Sequence, residues 1–434
     1  MTTTATDAMV SPWADRRFRL FAAGNIINNI GEAMYDLTLP LLVYELTGSL
    51  LVMTLLAAMV PATLLLGPLL GSIADRWGPR VMVMPGLVVQ LGAAFVINTV
   101  AVSGQHANWF LLFFFGALVQ IGGSMYRVGW MTAVPLMFPE SAVRARGALG
   151  SLFVASTFIG PLIVAATLPS LGYIALLWVN LATFVAPMVV WWLGIKPARG
   201  HEHDGTKFEI LRSLRQGWDA IRQEPRLLGA VVTMLPLEIV ASTATTTLTL
   251  FYLRESFHLS ASAVSACVVA MNLAAFLGSI AVSERTRFPV RPTLLVITVG
   301  MAATLFVIAA PVLVVALGAL CLFFAFTGSA GVTSSMLTIT YVPADVMGRA
   351  FGILRLIWGV PNVLAPAIIP LIVVWTSVRA TYVVLGLVAL VSVALLARMW
   401  RRWSVPVAGD GAPATDTALP VTTATTIPVT DLEA

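Results

Sequence analysis

The chain has 434 residues, 59% of them hydrophobic and 10% charged, with a formal net charge of +5. Soluble domains carry about 25% charged residues, so the composition excludes an ordinary soluble enzyme and points to a polytopic membrane protein. The basic residues sit in short loops between apolar runs, which is not the footprint of a nucleic-acid binder, and no nucleic-acid partner is expected.

Residues 1–12 are rich in Thr and Ala and read as a disordered tail. The first apolar run begins near Leu20, behind Arg16, Arg17 and Arg19. It is too long for the core of a cleavable signal peptide. A spanning helix needs about 20 mostly apolar residues. On that measure the sequence predicts twelve spans, near 17–45, 49–73, 80–102, 107–135, 143–168, 171–195, 226–253, 261–283, 290–310, 312–340, 346–375 and 378–400. The long connection, 196–225, lies in the middle. The expected organisation is therefore a six-helix bundle over 13–195, a cytoplasmic linker over 196–225, a second bundle over 226–403 and a disordered tail over 404–434.

Lys and Arg fix the orientation. They crowd into one alternate set of loops and ends, whereas the opposite set holds only Arg254 and Arg379. Both termini and the linker are therefore expected in the cytoplasm. Arg127 and Arg355 lie inside spans. Within the linker, Phe208, Leu211, Leu214, Trp218 and Ile221 recur at helical spacing, which predicts an amphipathic helix, either lying on the membrane surface or packed on protein. Cys267 and Cys321 lie inside apolar runs and read as small hydrophobes. The four histidines fall in loops. His201 and His203 are close enough in sequence to share a metal, but a solvated linker explains them, and no metal site is expected. The absence of a Walker loop and of soluble-enzyme signatures argues against an enzyme.

The halves echo each other. Gly71-Ser-Ile-Ala returns as Gly278-Ser-Ile-Ala at an offset of 207, Glu32 matches Glu238 at 206, Gly160-Pro161 matches Ala365-Pro366 at 205, and Arg146 matches Arg349 at 203. Four matches at such similar offsets, each at the same place in its half, imply a duplicated bundle, and two six-helix repeats are a known transporter architecture.

The segment Gly71-Ser-Ile-Ala-Asp75-Arg76-Trp-Gly78-Pro-Arg80, between the second and third spans, resembles the loop signature of the major facilitator superfamily. Arg17-Phe-Arg-Leu, Leu39-Pro-Leu-Leu-Val-Tyr-Glu-Leu-Thr-Gly48 and Leu66-Gly-Pro-Leu-Leu-Gly-Ser-Ile-Ala-Asp75 make the chain similar to the drug:proton antiporter branch that includes macrolide-efflux and enterobactin-exporter proteins. The resemblance implies an all-α fold of twelve transmembrane helices in two pseudo-symmetric halves. It also implies a multi-pass protein of a bacterial cytoplasmic membrane, acting as a monomer with no cofactor beyond a proton gradient. Departures exist. Pro79 stands where the family usually has a basic residue, the second-half loop lacks the acid matching Asp75, and Ser156-x-x-x-Gly160-Pro161 keeps only part of the antiporter signature.

Charges at mid-membrane cost roughly 2.5–3.5 kcal/mol or more, so each calls for an explanation. Asn25, Asn28, Glu32 and Asp36 are spaced three, four and four and form one stripe on the first helix. The resemblance places this helix, the fourth, the seventh and the tenth around a central cavity. It thus implies a substrate cavity lined by Asn25, Asn28, Glu32, Asp36, Arg127, Glu238 and Thr245. A low-dielectric site disfavours a charged carboxylate, so Glu32 or Asp36, with Arg127, is expected to carry the proton. The alternative is a structural ion pair or a wetted polar stripe. Glu238, after Pro236 and before a Thr-rich run, suits a bent or locally unwound helix and a substrate-facing role, with packing as the alternative. The resemblance makes Gly71, Asp75, Arg76, Gly78, Arg80, Arg146 and Arg349 a conformational latch between the second helix and the start of the eleventh. A plain topogenic loop is the alternative. Gly160 and Pro161 are expected to kink the fifth span.

These readings converge on proton-coupled export of an apolar or amphipathic small molecule, such as a drug or siderophore. The alternatives are a proton symporter, a lysophospholipid flippase, and a non-transporting membrane sensor or scaffold.

Overall fold

The computed structural model describes residues 11–102, 109–195, 210–283, 290–342 and 347–403. Residues 1–10 of the predicted N-terminal tail, the C-terminal tail, His106, His201, His203 and the start of the linker lie outside the described residues, whereas Pro12, expected in the tail, is buried in a 3-10 turn over Pro12–Ala14. Every regular element among the described residues is helical.

The first span is α1 (Arg16–Thr47). Asp15 caps it by accepting from the Arg17 backbone N–H at 2.7 Å, and Gly48, at φ 62°, ends it. The second span is broken into α2 (Leu50–Ala57), α3 (Met59–Ala62), a 3-10 turn over Thr63–Leu66 and α4 (Gly67–Trp77). Gly78 turns the chain at φ 81° into α5 (Arg80–Val102), which is followed by α6 (Trp109–Met137). The fifth and sixth spans are α7 (Ala142–Thr183), two helices joined at Gly172, and α8 (Val185–Trp192), which completes the sixth. Inside α7 only Gly172 departs from helical angles, at φ 72° and ψ 170°, and it is the turn between the two spans.

The linker contains α9 (Ile210–Gln223). It packs on the second half and touches α4, with Ile221 fully buried, so the amphipathic helix rests on protein. The seventh span is broken into α10 (Pro225–Val240) and α11 (Thr243–Phe257). The remaining spans are continuous helices, α12 (Ala261–Ser283), α13 (Val290–Ile308), α14 (Leu313–Tyr341), α15 (Met347–Trp375) and α16 (Val378–Trp403).

Among the described residues, nine helical runs are long and apolar enough to cross a membrane. They agree with the twelve spans expected. One run, Arg144–Trp192, contains two spans, while polar α1 and the broken second span fall outside a criterion of length and apolarity. Small residues bring the helices together. A Cβ at Gly86 on α5 would lie 2.7 Å from the Gly122 carbonyl oxygen on α6, and one at Gly278 on α12 only 2.0 Å from that of Ala325 on α14.

The two halves meet from mid-membrane to the side away from the termini. There α2 packs on α11 and α15, and α7 on α12. Asn272 donates to the Thr157 carbonyl at 2.6 Å, and Thr54 to that of Pro366 at 3.1 Å. At the far end Tyr44 donates to Glu255 at 2.7 Å, Arg254 pairs with Glu45, and Tyr44 stacks edge-on against Phe251 at 5.3 Å.

Candidate functional site: a polar cluster on the first span

The polar stripe of α1 faces α5 and α6. Asn25, Asn28 and Asn29 are buried. Asn25 donates to the Tyr126 hydroxyl at 3.2 Å and accepts from Asn29 at 2.9 Å. One turn on, Glu32 gathers three donors. Asn28 and Gln90 reach Oε1 at 3.1 and 3.0 Å, and Arg127 reaches Oε2 at 2.8 Å. Gly123 makes room, because a Cβ there would come within 3.1 Å of Glu32 Oε1. Arg127 also lies over the Phe153 ring at 5.3 Å, which ties α7 to the cluster.

The carboxylate is thus fully engaged, and its pair is asymmetric in exposure. The Glu32 side chain is 14% exposed and that of Arg127 41%. The charge is balanced from the accessible side of the bundle. Asp36, a turn further along α1, is exposed and accepts a single described hydrogen bond, from Gln120 at 3.1 Å. The sequence stripe is therefore two environments, an ion pair held by three donors and a nearly free carboxylate above it.

Gln90, Gln120 and Tyr126 were not singled out from sequence. Their signal was present, since a glutamine in an apolar run requires a partner just as a charge does. Two orphaned atoms remain, Asn28 Oδ1 and Gln90 Oε1, both buried with no hydrogen-bond partner. They are acceptors beside Glu32 that the cluster leaves unused.

The second-half residues stand apart from this cluster. Glu238 lies in the last turn of α10, half-buried, with no hydrogen bond or ion pair among the described residues. Thr245 is buried on α11, and its hydroxyl has no partner. Arg355 is exposed on α15.

Of the latch residues, Gly78 makes the turn, Arg80 lies over the Trp191 ring at 5.5 Å, and Arg146 donates to the Met131 carbonyl at 3.1 Å. Among the described residues, a Cβ at Gly71 would meet nothing within 4 Å. The side chains of Asp75, Arg76 and Arg349 lie outside what the structure describes. The backbone stays helical through Gly160 and Pro161. Gly160 instead brings the fifth span against α1, where a Cβ would sit 2.6 Å from that of Ala33. Among the described residues no group of three or more His, Cys, Asp or Glu is placed to hold a metal.

Two bundles of spans with charged side chains between helices define a polytopic helical membrane protein of the two-half kind. The sequence profile of the Major Facilitator Superfamily matches residues 21–360 and again 239–431, and the chain belongs to that family. No relative among curated proteins matches it. Several solved structures share the fold at low identity. A bacterial homologue of the human lysosomal transporter Spinster, inward-facing and occupied, is similar with a TM-score of 0.67 and 13% identity, over 90% of this chain and 98% of that one. An inward-facing bacterial homologue of the iron transporter ferroportin gives 0.67 and 17%, over 90% and 99%. The nucleoside transporter NupG gives 0.67 and 11%, over 89% and 100%.

Proposed function

We propose that the protein is a proton-coupled secondary transporter that exports apolar or amphipathic small molecules across a bacterial cytoplasmic membrane, working as a monomer. The observation that carries this reading is the α1 cluster. One carboxylate, Glu32, is matched by Arg127, and a second, Asp36, stands exposed one turn away with one neutral donor. Proton coupling needs a carboxylate that can lose its charge without leaving a cation stranded. Asp36 meets that condition better than Glu32, whose protonation would free Arg127. In this reading Asp36 takes the proton, and the Glu32–Arg127 pair shapes the field around it and responds to its charge.

The seal between the halves on the side away from the termini supports alternating access. With the termini in the cytoplasm, the far end closed by Tyr44, Glu45, Arg254 and Glu255 is the outer end, the side that an inward-open state would keep shut. The Gly71–Arg80 segment is then the latch that engages when the inner side closes, together with Arg146 and Arg349. Gly71 has open space in front of it in the present state, as a residue reserved for a later close approach would.

Proteoliposomes with an imposed pH gradient test the proposal. Substrate-dependent proton flux is expected from the native protein and is expected to vanish in Asp36→Asn, with Glu32→Gln impaired less. Full coupled flux in Asp36→Asn would overturn the assignment of the proton site. Lipid movement without proton flux would favour a flippase, and no flux of either kind a sensor or scaffold.

A further inference from the structure

Two hydrogen bonds run from a side chain of one half to the backbone of the other, and both end on a carbonyl that a proline has left without its helical partner. In an α-helix the carbonyl of one residue accepts from the N–H four residues on. Proline has no N–H, and its ring crowds the carbonyl four residues back. On α7, Pro161 thus leaves the Thr157 carbonyl free, and Asn272 of α12 donates to it at 2.6 Å. On α15, Pro370 leaves the Pro366 carbonyl free, and the Thr54 hydroxyl of α2 reaches it at 3.1 Å. Within the first half, Pro135 of α6 frees the Met131 carbonyl in the same way, and Arg146 takes it at 3.1 Å.

Pseudo-symmetry relates the two crossings. One joins the fifth span to the eighth, and the other joins the eleventh to the second. Exchanging the halves turns one pairing into the other. The register differs by about one turn, since Pro161 matches Pro366 in sequence but Pro370 frees the carbonyl that Thr54 reaches. The donors differ too. The Asn272 bond is short, and Phe158 and Phe276 meet edge-on beside it at 5.7 Å. The Thr54 hydroxyl is fully buried and also lies 2.9 and 3.0 Å from the Leu50 and Leu51 carbonyls of its own helix, so its single hydrogen is shared.

A carbonyl without a partner is costly inside a membrane, so a proline within a span is tolerated where a neighbour or water supplies the donor. At an interface that parts, both supplies exist in turn. We infer that Pro161 and Pro370 equip the interface between the halves with free acceptors. Asn272 and Thr54 hold the outer side shut on the Thr157 and Pro366 carbonyls, and water takes those carbonyls when the side opens. This rests on the alternating-access reading for the opening, but not for the bonds themselves.

The test uses the purified full-length protein in lipid nanodiscs, with Cys267 and Cys321 replaced by serine and spin labels on the outer ends of the fifth and eighth spans. Asn272→Leu keeps the volume and removes the donor. It is expected to raise the outer-open population about fivefold, the worth of one neutral hydrogen bond. Pro161→Ala returns an N–H to the Thr157 carbonyl from within α7. In that background Asn272→Leu is expected to change the population by less than about twofold, because the acceptor is already taken. Thr54→Val is expected to give a smaller rise than Asn272→Leu, and Pro370→Ala to abolish it. An equal, non-zero change from Asn272→Leu in both backgrounds would mean that Pro161 acts by shape alone, and would overturn the inference. Thermal melts of the four proteins in the Asn272 and Pro161 cycle keep the two readings apart. Coupled losses with one invariant outer distance in every variant support the bonds and overturn alternating access. Additive losses in a protein whose outer side does open overturn the inference and leave the transporter reading intact.

Discussion

Glu32 and Glu238 stand 206 residues apart, at matching places on the first and seventh spans. The first accepts from Asn28, Gln90 and Arg127, and the second has no partner among the described residues. The second and eighth spans differ in the same manner. Gly71 and Gly278 begin the same four-residue string, but Gly278 is pressed against Ala325 on α14 while Gly71 faces open space. The second span also tightens to a 3-10 turn over Thr63–Leu66, and the eighth, α12, is a regular α-helix throughout. Of the two matched features, each half has one that is closely engaged by its neighbours. The first half holds an engaged charge and a second span with no described atom close to Gly71. The second half holds a locked eighth span and an unsettled charge.

The largest effect should come from testing the packing side of this contrast. Gly278→Ala puts a methyl 2.0 Å from a backbone oxygen that cannot move without shifting α14. It is expected to cost about 3 kcal/mol, at the upper end of overpacking penalties. Gly71→Ala should leave stability unchanged or raise it by up to about 1 kcal/mol, since alanine favours helix and meets no atom here. Thermal melts in detergent check both. If Gly71→Ala stays stable and loses transport, the open space belongs to a close approach made in the other state. If both variants melt alike, the contrast between the spans is wrong.

A smaller effect tests the charge side. Arg127→Met strands Glu32 with only neutral donors and is expected to cost about 1–3 kcal/mol, less than a fully buried pair because Arg127 is 41% exposed. Adding Glu32→Gln should restore part of that loss, and a double-mutant cycle measures the coupling. Additive losses would mean that the pair is a contact without energetic consequence.

Much of the architecture was legible because hydropathy and Lys/Arg placement are strong constraints on a membrane chain. The two-half organisation followed from repeats such as Gly71/Gly278. The break after Glu238 was legible from Pro236 and the Thr run. Less legible were relations that depend on helix rotation. The pairing of Arg127 with Glu32 is the exception, because its depth on the fourth span and its long side chain already favoured Glu32 over Asp36. The partnership with Gln90 and Gln120 turns on how α5 and α6 cross α1, and no one-dimensional pattern encodes that crossing. Gly160-Pro161 shows the limit from the other side. The pair suggested a kink, but its glycine acts by admitting α1, and a helix can carry an internal proline while keeping helical angles.

The gentlest test concerns the outer seal, where first and seventh spans exchange charge directly. Glu45 is 50% exposed and Arg254 20%, so their pair contributes only about 0.5 kcal/mol. Arg254 has further contacts, since it lies over the Tyr44 ring at 5.8 Å and donates to the Leu259 carbonyl at 3.4 Å. Glu45→Gln therefore removes the ion pair while keeping the rest. A loss of about 0.5 kcal/mol shifts a two-state equilibrium roughly twofold. Spin labels on the outer ends of α2 and α11, in a background with Cys267 and Cys321 replaced by serine, should show the separated population rising by that factor. High salt should produce the same rise in the native protein and none in Glu45→Gln. An unchanged distance distribution in both would mean that the seal is held by the Tyr44–Phe251 and Tyr44–Glu255 contacts, and that the charges only accompany a closure made by packing.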